Sequence, residues 1–220
     1  MSTYGTMQTR IADELINESI TTAQIQKAIQ TAIAHYEREP WWFNQKVGTF
    51  STVADQELYT ATEFSDMANV VRIDSMLATS GSTDTKLRGV DYSTIEDVQD
   101  GSVTGDPSLY TRYADKIRLY PIPSSALTMT VSYIYKFDAL DDDADTNAWV
   151  DECEELIRSH AKRVLCYDVI HTFDLGDRFD AQARIAYDRL RNENRLRQPQ
   201  AMLRTDWPFN RGYVNLEGAV

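Results

Sequence analysis

One junction constrains the fold of this chain more than any other feature: a helix stops at a proline, and three aromatic residues follow at once. Apolar residues recur at helical spacing before the stop, at Ile25, Ile29, Ile33 and Tyr36. Pro40 ends this helix, because the residue before a proline is pushed out of the α region. Trp41, Trp42 and Phe43 come next. We interpret them as a structural aromatic junction that sets how the helix packs against a strand-rich stretch.

The composition is that of an ordinary globular protein that can bury one good core. Of its 220 residues, 42% are hydrophobic and 25% are charged. The first twenty residues hold no apolar run of the kind found in a secretory signal. No stretch reaches the roughly 18 apolar residues of a membrane span. We therefore expect a protein made in the cytosol, with no membrane partner.

The hydrophobic period predicts helices at both ends of the chain and strands in its middle. Helices are predicted over residues 3–17, from residue 22 up to Pro40, and over residues 147–173 and 178–196, with Gly176 as the break between the last two. A short helix at 91–98 and a loop tip at 80–84 interrupt the middle. Strands are predicted at 47–53, 57–60, 70–77, 109–113, 116–120 and 128–137.

This order of elements predicts an α+β fold in three parts. Residues 1–45 and 138–197 are expected to form a bundle of about four helices. Residues 46–137 are expected to form a strand-rich insertion, either a small β sheet or a sandwich. Residues 198–220, which show no periodicity, are expected to form an extended C-terminal docking tail.

The tail is rich in side chains that dominate protein interfaces. Disordered segments are poor in aromatic residues, so this composition favours a strap that orders against a partner over a solvated tail. The predicted partner-docking residues are Arg204, Trp207, Phe209, Arg211 and Tyr213.

Charge is unevenly distributed along the chain. The formal net charge is −12, which argues against sequence-independent DNA binding, because such binding needs many phosphate-neutralising cations. Residues 138–155 contain nine acids and no base, whereas residues 184–211 contain seven arginines and three acids. The asymmetry is typical of two solvated faces, and it also suits a molecule whose one side meets the opposite side of a neighbour.

No residue pattern predicts catalysis or a cofactor. The three histidines have no metal-ligand spacing, and the chain has no glycine-rich phosphate loop and no nucleophile elbow. Cys153 and Cys166 lie too far apart on a predicted helix for a disulfide, so we interpret them as small buried hydrophobes. The sequence therefore favours a protein that is not an enzyme and holds no metal.

One acidic loop imitates a calcium site. Asp141, Asp143 and Asp145, with Glu152 in the twelfth position, follow the ligand spacing of an EF-hand, but Thr146 stands where that loop needs glycine. The pattern favours an acidic loop in which Asp145 or Thr146 caps the long helix.

Three blocks of the sequence resemble the head-to-tail adaptor (connector) proteins of tailed bacteriophages. The first is Tyr36-Glu-Arg-Glu-Pro-Trp-Trp-Phe-Asn44. The second is Phe50-Ser-Thr-Val-Ala-Asp-Gln-Glu-Leu-Tyr59 leading to Val70-Val-Arg-Ile-Asp74. The third is Asp145-Thr-Asn-Ala-Trp149, just after the strand Val131-Ser-Tyr-Ile-Tyr135. The order and spacing of the blocks carry the resemblance, which spans roughly residues 4–195.

The resemblance implies a structural virion protein, located in the neck and assembled in the host cytoplasm. Such a protein forms a ring, usually of twelve copies, beneath the portal protein. It extends the DNA channel without binding DNA specifically, and it offers a platform to a downstream tail or nozzle protein. The portal and the neighbouring adaptor subunits are thus the implied partners, with the C-terminal tail docking on the portal.

Two other readings of the sequence differ in their partners. One is another tail-completion or neck protein that does not contact the portal directly. The other is a small packaging factor, which should show a basic DNA-binding helical domain, and no such domain is visible in the sequence.

Overall fold

The computed structural model describes residues 2–15, 18–98 and 103–197. Within these ranges the fold is α+β, which confirms the predicted class. The chain divides into a helical unit, Met1–Ile33 with Asp142–Val220, and a β-rich unit, Ala34–Asp141. The division into domains 1–45 with 138–197, 46–137 and 198–220 stays a prediction.

Six α-helices and nine strands make up the described ranges. The helices are α1 (Tyr4–Glu14), α2 (Thr22–Tyr36), α3 (Tyr92–Val98), α4 (Ala148–Asp151), α5 (Glu154–Leu165) and α6 (Phe173–Arg197). The strands are β1 (Gln45–Ser51), β2 (Leu58–Tyr59), β3 (Val70–Ser80), β4 (Thr83–Gly89), β5 (Thr104–Gly105), β6 (Leu109–Tyr113), β7 (Lys116–Tyr120), β8 (Ile122–Pro123) and β9 (Thr128–Tyr135).

The β-rich unit is built on one seven-stranded sheet, in the order β1-β9-β3-β4-β6-β7-β2. Neighbouring strands are antiparallel except β4 and β6, which are parallel because the crossover through α3 lies between them. A separate short pair joins β5 to β8. The core of this unit holds buried aromatic and aliphatic side chains from all the long strands, among them Phe50, Met76, Leu119 and Val131.

Ion pairs of Glu14 join two helices of the helical unit. Glu14 at the end of α1 accepts a bond from Arg158 at 2.7 Å and a second from Lys162, both on α5. Lys162 is 4% exposed, and its ammonium also lies 4.1 Å from the centre of the Phe179 ring on α6. One buried cation therefore contacts α1 and α6 at once, and the carboxylate and the ring compensate its lost hydration.

The acidic loop caps α1. The N–H groups of Tyr4 and Gly5 donate to the carbonyls of Asp145 and Asp143, each at 2.9 Å. Gln8 donates to the Asp143 carboxylate at 3.2 Å. The loop thus satisfies donors at the N-terminus of a helix, which have no partner within the helix itself.

The predicted cap of the long helix is wrong. Neither Asp145 nor Thr146 caps it; the Asn147 side chain accepts from the N–H groups of Trp149 and Val150 at 3.0 and 3.4 Å. Asparagine is among the preferred residues at this position, because its short side chain reaches the backbone two or three residues ahead.

The prediction of one helix over residues 147–173 is also wrong. The segment divides into α4, α5 and a π-helical turn, Cys166–Ile170, after which His171 adopts a left-handed conformation with φ 59°. α6 then runs straight through Gly176, the residue predicted to break it. Close packing explains why residue 176 is a glycine. A Cβ at this position would lie 2.9 Å from Cε1 of Tyr167, whose ring packs against the helix there.

In the β-rich unit the loop predicted at residues 80–84 is shorter in the structure, where it is a tight turn. β3 continues to Ser80 and β4 begins at Thr83, with Gly81 in the left-handed region at the turn. β4 was not predicted. Only Leu87 of its seven residues is buried, so its sequence shows no alternation of apolar and polar residues.

We predict that Gly48→Ala destabilises the protein by about 1–3 kcal/mol, the range for overpacked cores. A Cβ on Gly48 would lie 2.8 Å from the Phe64 ring and 3.2 Å from the Tyr133 hydroxyl, both on buried residues. The control is Gly105→Ala, whose Cβ meets its nearest neighbour at 3.9 Å. Denaturant unfolding measures the difference, and equal stability of the two variants would contradict the packing argument.

Candidate functional site

The chain between α2 and β1 is folded around the side chain of Asn44. This residue is fully buried, and its Oδ1 accepts from the Trp41 N–H at 2.8 Å. Its amide donates to the carbonyls of Glu39 and Glu37 at 2.9 and 3.4 Å. One side chain thus satisfies backbone groups on both sides of Pro40, which a buried turn requires.

The three aromatic residues of the junction lie in different environments. Trp41 is buried, and its indole N–H donates to the Tyr36 carbonyl at 3.0 Å, which satisfies a terminal carbonyl of α2. Trp42 and Phe43 are half-buried and meet edge to face, with ring centroids 5.0 Å apart. Trp41 therefore anchors the turn, while Trp42 and Phe43 keep part of their surface open to solvent.

An unbroken chain of aromatic rings runs from this junction through the β-rich unit. Successive centroids lie 5.0–6.5 Å apart, within the range of favourable ring pairs. In order, the rings are Trp42, Phe43, Phe137, Tyr135, Tyr133, Phe64, Phe50 and Tyr59. The junction is thus continuous with the core of the sheet.

Tyr133, within this chain of rings, makes a hydrogen bond through its hydroxyl group. Its hydroxyl donates to the carboxylate of Asp66. Burial raises the pKa of Tyr133, and the bond to Asp66 raises it further. The hydroxyl therefore stays protonated and acts as a donor that fixes the ring, not as a base.

β1, which follows the junction, forms an open edge of the sheet. Tyr135 donates to the Asn44 carbonyl at 2.7 Å and Thr52 to that of Leu127 at 2.9 Å, so the even-numbered residues between them bond to β9. The odd-numbered residues direct their N–H and C=O groups to the other side. There the described part of the chain places no further strand.

The same side of the sheet is rich in hydroxyl groups, and we call nine of its residues on β1, β9 and β3 the hydroxyl face. Seven of the nine bear hydroxyl groups. They are Val47, Thr49, Ser51, Thr128, Thr130, Ser132, Ser75, Leu77 and Thr79. Val47 is 68% exposed, which is unusual for its type. Charged residues border the hydroxyl face on β4, where Lys86 lies opposite Leu77 and Asp84 opposite Thr79, and the Thr79 hydroxyl donates to the Asp84 carboxylate at 2.7 Å.

The described residues contain no arrangement typical of catalysis. No group of three or more His, Cys, Asp or Glu residues within 2–15, 18–98 and 103–197 could hold a metal ion. Both cysteines are buried and free, and burial raises the pKa of each thiol. A cavity of about 510 Å³ beside β4 and β6 is lined by Arg88 and Arg112 and by no histidine, serine or cysteine.

Two further observations concern the predicted site and the membrane. The docking residues Arg204, Trp207, Phe209, Arg211 and Tyr213 lie outside the described residues, so their role stays a prediction. Across the described part of the chain, none of the helices has the length and hydropathy to cross a membrane.

Comparison with known proteins identifies the class. The family model described as SU10 adaptor protein matches residues 2–211, nearly the whole chain. That match places the protein among the structural adaptor proteins of bacteriophages, a class of virion components and not of enzymes. The chain belongs to the SU10 adaptor protein family. No curated protein matches it.

We expect Asn44→Ala to lower the free energy of unfolding by at least about 2 kcal/mol. The change removes the bonds that Asn44 makes with the Trp41 N–H and the Glu39 carbonyl, and the loss of a bond to a buried backbone group costs about 1–3 kcal/mol. Asn69→Ala is the matched control, because Asn69 also donates two bonds but is only half-buried, so water can replace them. A loss no greater than that of the control would show that the turn does not depend on Asn44.

Proposed function

We propose that this chain is a head-to-tail adaptor. In this proposal about twelve copies form a ring beneath the portal, extend the DNA channel and present the platform on which the tail is built. The observation that carries the proposal is the family match over residues 2–211. The helices of the helical unit would form the four-helix bundle that builds the ring, and the protein would reside in the neck after assembly in the host cytoplasm.

The charge of the chain supports a channel that conducts DNA without binding it. At −12 per copy, a ring of such subunits repels phosphate, so DNA can slide past without being held.

In this proposal the three kinds of partner use three surfaces. The tail at residues 198–220 docks on the portal through its aromatic and arginine residues. Neighbouring subunits meet through the helical unit. The hydroxyl face, with Val47 exposed at its edge, receives the downstream tail or nozzle protein.

The alternative is a tail-completion or neck protein that does not contact the portal. Cryo-electron microscopy of intact virions separates the two, because it shows copy number, neighbours and the path of the tail together. Density for this chain in direct contact with the portal supports the adaptor, and density confined to a lower ring supports the alternative.

We predict that the isolated protein binds duplex DNA no more tightly than about 100 μM at physiological salt. With a net charge of −12 it lacks the cations needed to displace counterions from phosphates. Fluorescence anisotropy with a labelled duplex, titrated at two salt concentrations, measures the affinity. Micromolar binding that weakens with salt would count against a channel that lets DNA slide.

A second prediction concerns the tail. Deleting residues 198–220 should leave the helical circular dichroism and the thermal midpoint unchanged, while virions lose their tails. Burial of Trp207 or Phe209 in a partner should each contribute about 1.5–3 kcal/mol before ordering costs.

The matched control for this deletion removes only residues 214–220 and keeps every predicted anchor. It should assemble normally. If chains without residues 198–220 still give tailed, infectious particles, the segment is a solvated appendage and does not dock.

A further inference from the structure

The outer side of α6 carries two arginines that the fold does not use. Three of the six arginines of this helix are matched: Arg184 pairs with Asp180 at 2.7 Å, Arg189 with Glu155 at 3.4 Å and Arg197 with Glu193 at 2.5 Å. Arg178, near the start of the helix, is exposed and makes no ion pair with the described residues. Arg191 and Arg195 are exposed, and neither makes an ion pair with any residue the structure describes. They lie one turn apart and so project together from the helix. We call them the arginine pair.

The same unit carries two acids that are equally unmatched. Asp151 ends α4 and Glu152 follows it. Both are exposed, and no ion pair or hydrogen bond joins their side chains to the described part of the chain. We call them the acidic pair. An exposed basic pair and an exposed acidic pair thus lie on one helical unit, beside single unmatched charges such as Asp174 and Asp188.

The two pairs lie at the same level of this unit but on different sides of α6. Glu152 lines a groove of about 170 Å³ together with Leu190 and Glu193, so the acidic pair is level with the last turns of α6. At 100° per residue, Arg191 and Arg195 lie 100° and 140° around the helix from buried Leu190, whereas Glu193 lies on the groove side. The arginine pair therefore faces away from the groove.

This placement fits a ring. A closed ring is built by a contact between two different surfaces of the same subunit, and because it has no rise, the surfaces must lie at one level. For helices that run along the ring axis, the acidic and arginine pairs meet that condition. Copies carrying −12 each repel one another, so their contact needs opposite charges directly across it.

We propose that Arg191 and Arg195 of one copy pair with Asp151 and Glu152 of the neighbouring copy, in a head-to-tail contact repeated around the ring. This inference rests on the proposed function, since it names the surfaces that a ring of this protein brings together. The partner is a second copy of this chain.

A cysteine cross-link tests the contact in assembled particles. The variant Arg195→Cys with Glu152→Cys leaves Arg191 and Asp151 in place, and the two native cysteines are buried. Under mild oxidation, particles containing this variant should give a ladder of covalent oligomers on a denaturing gel. Each single-cysteine variant should give no ladder beyond a dimer. Intact tailed particles that contain the double variant but give no ladder would overturn the proposal.

Reversal of the charges on both sides tests the same contact without a covalent cross-link. Reversal of the arginine pair (Arg191→Glu with Arg195→Glu) should reduce tailed infectious particles at least tenfold, and so should Asp151→Lys with Glu152→Lys. The four changes together should restore the yield to within about threefold of the original. Arg178→Glu, at an exposed position near the other end of α6, is the control and should have little effect.

Circular dichroism of each variant separates a lost contact from a lost fold. Normal particle yield in both reversed variants, or failure of the folded combination to restore the yield, would contradict the pairing. The proposed function is tested separately. A ring of this chain beneath the portal that gives no cross-link ladder would contradict only the pairing of these residues. Absence of this chain from the neck would contradict the proposed adaptor function.

Discussion

The buried amide of Asn44 determines how the sheet of this protein is assembled. Its side chain closes the turn that follows α2, and its carbonyl receives the N–H of Tyr135, the first bond of the β1–β9 ladder. From there the register runs from Gln45 opposite Ile134 to Ser51 opposite Thr128. A slip of one residue would turn Phe50 out of the core and bring the hydroxyl face inward. The junction therefore fixes which face of the sheet is core and which is surface.

Sequence patterns predicted the parts of the fold whose cause is local. The β6–β7 hairpin lies at the predicted residues, although its turn uses Ala114 and Asp115 with positive φ of 47° and 55° in place of glycine. The role of the aromatic junction stays a prediction, and sequence patterns missed Asn44 and Phe64, the residues that the structure adds to it. A single buried amide leaves no periodic signal, and the contact of Phe64 with Tyr133 depends on a pairing that only the folded sheet creates. The same limit explains Gly176, whose meaning depends on the ring of Tyr167.

Charge serves two purposes in this molecule. Glu14 binds Arg158 and Lys162, residues more than 140 positions away, and so joins the two ends of the chain into one helical unit. The acidic loop acts in the same way through its backbone, by capping α1. Ion pairs that are buried or shared in this manner maintain the fold, while exposed pairs contribute little to stability. Charges that the fold leaves unmatched are those available to partners, which is why an inventory of matched charges helps to locate a contact surface.

The helical unit is assembled from two segments that the whole β-rich unit separates. The acceptors for the Tyr4 and Gly5 N–H groups belong to Asp145 and Asp143, about 140 residues later in the chain. At roughly 5–20 residues per second, the ribosome delivers them on the order of ten seconds after α1. The β-rich unit, which is continuous in sequence, is complete before that point. The order of synthesis therefore lets the sheet fold first, inside a chain whose two helical ends have not yet met.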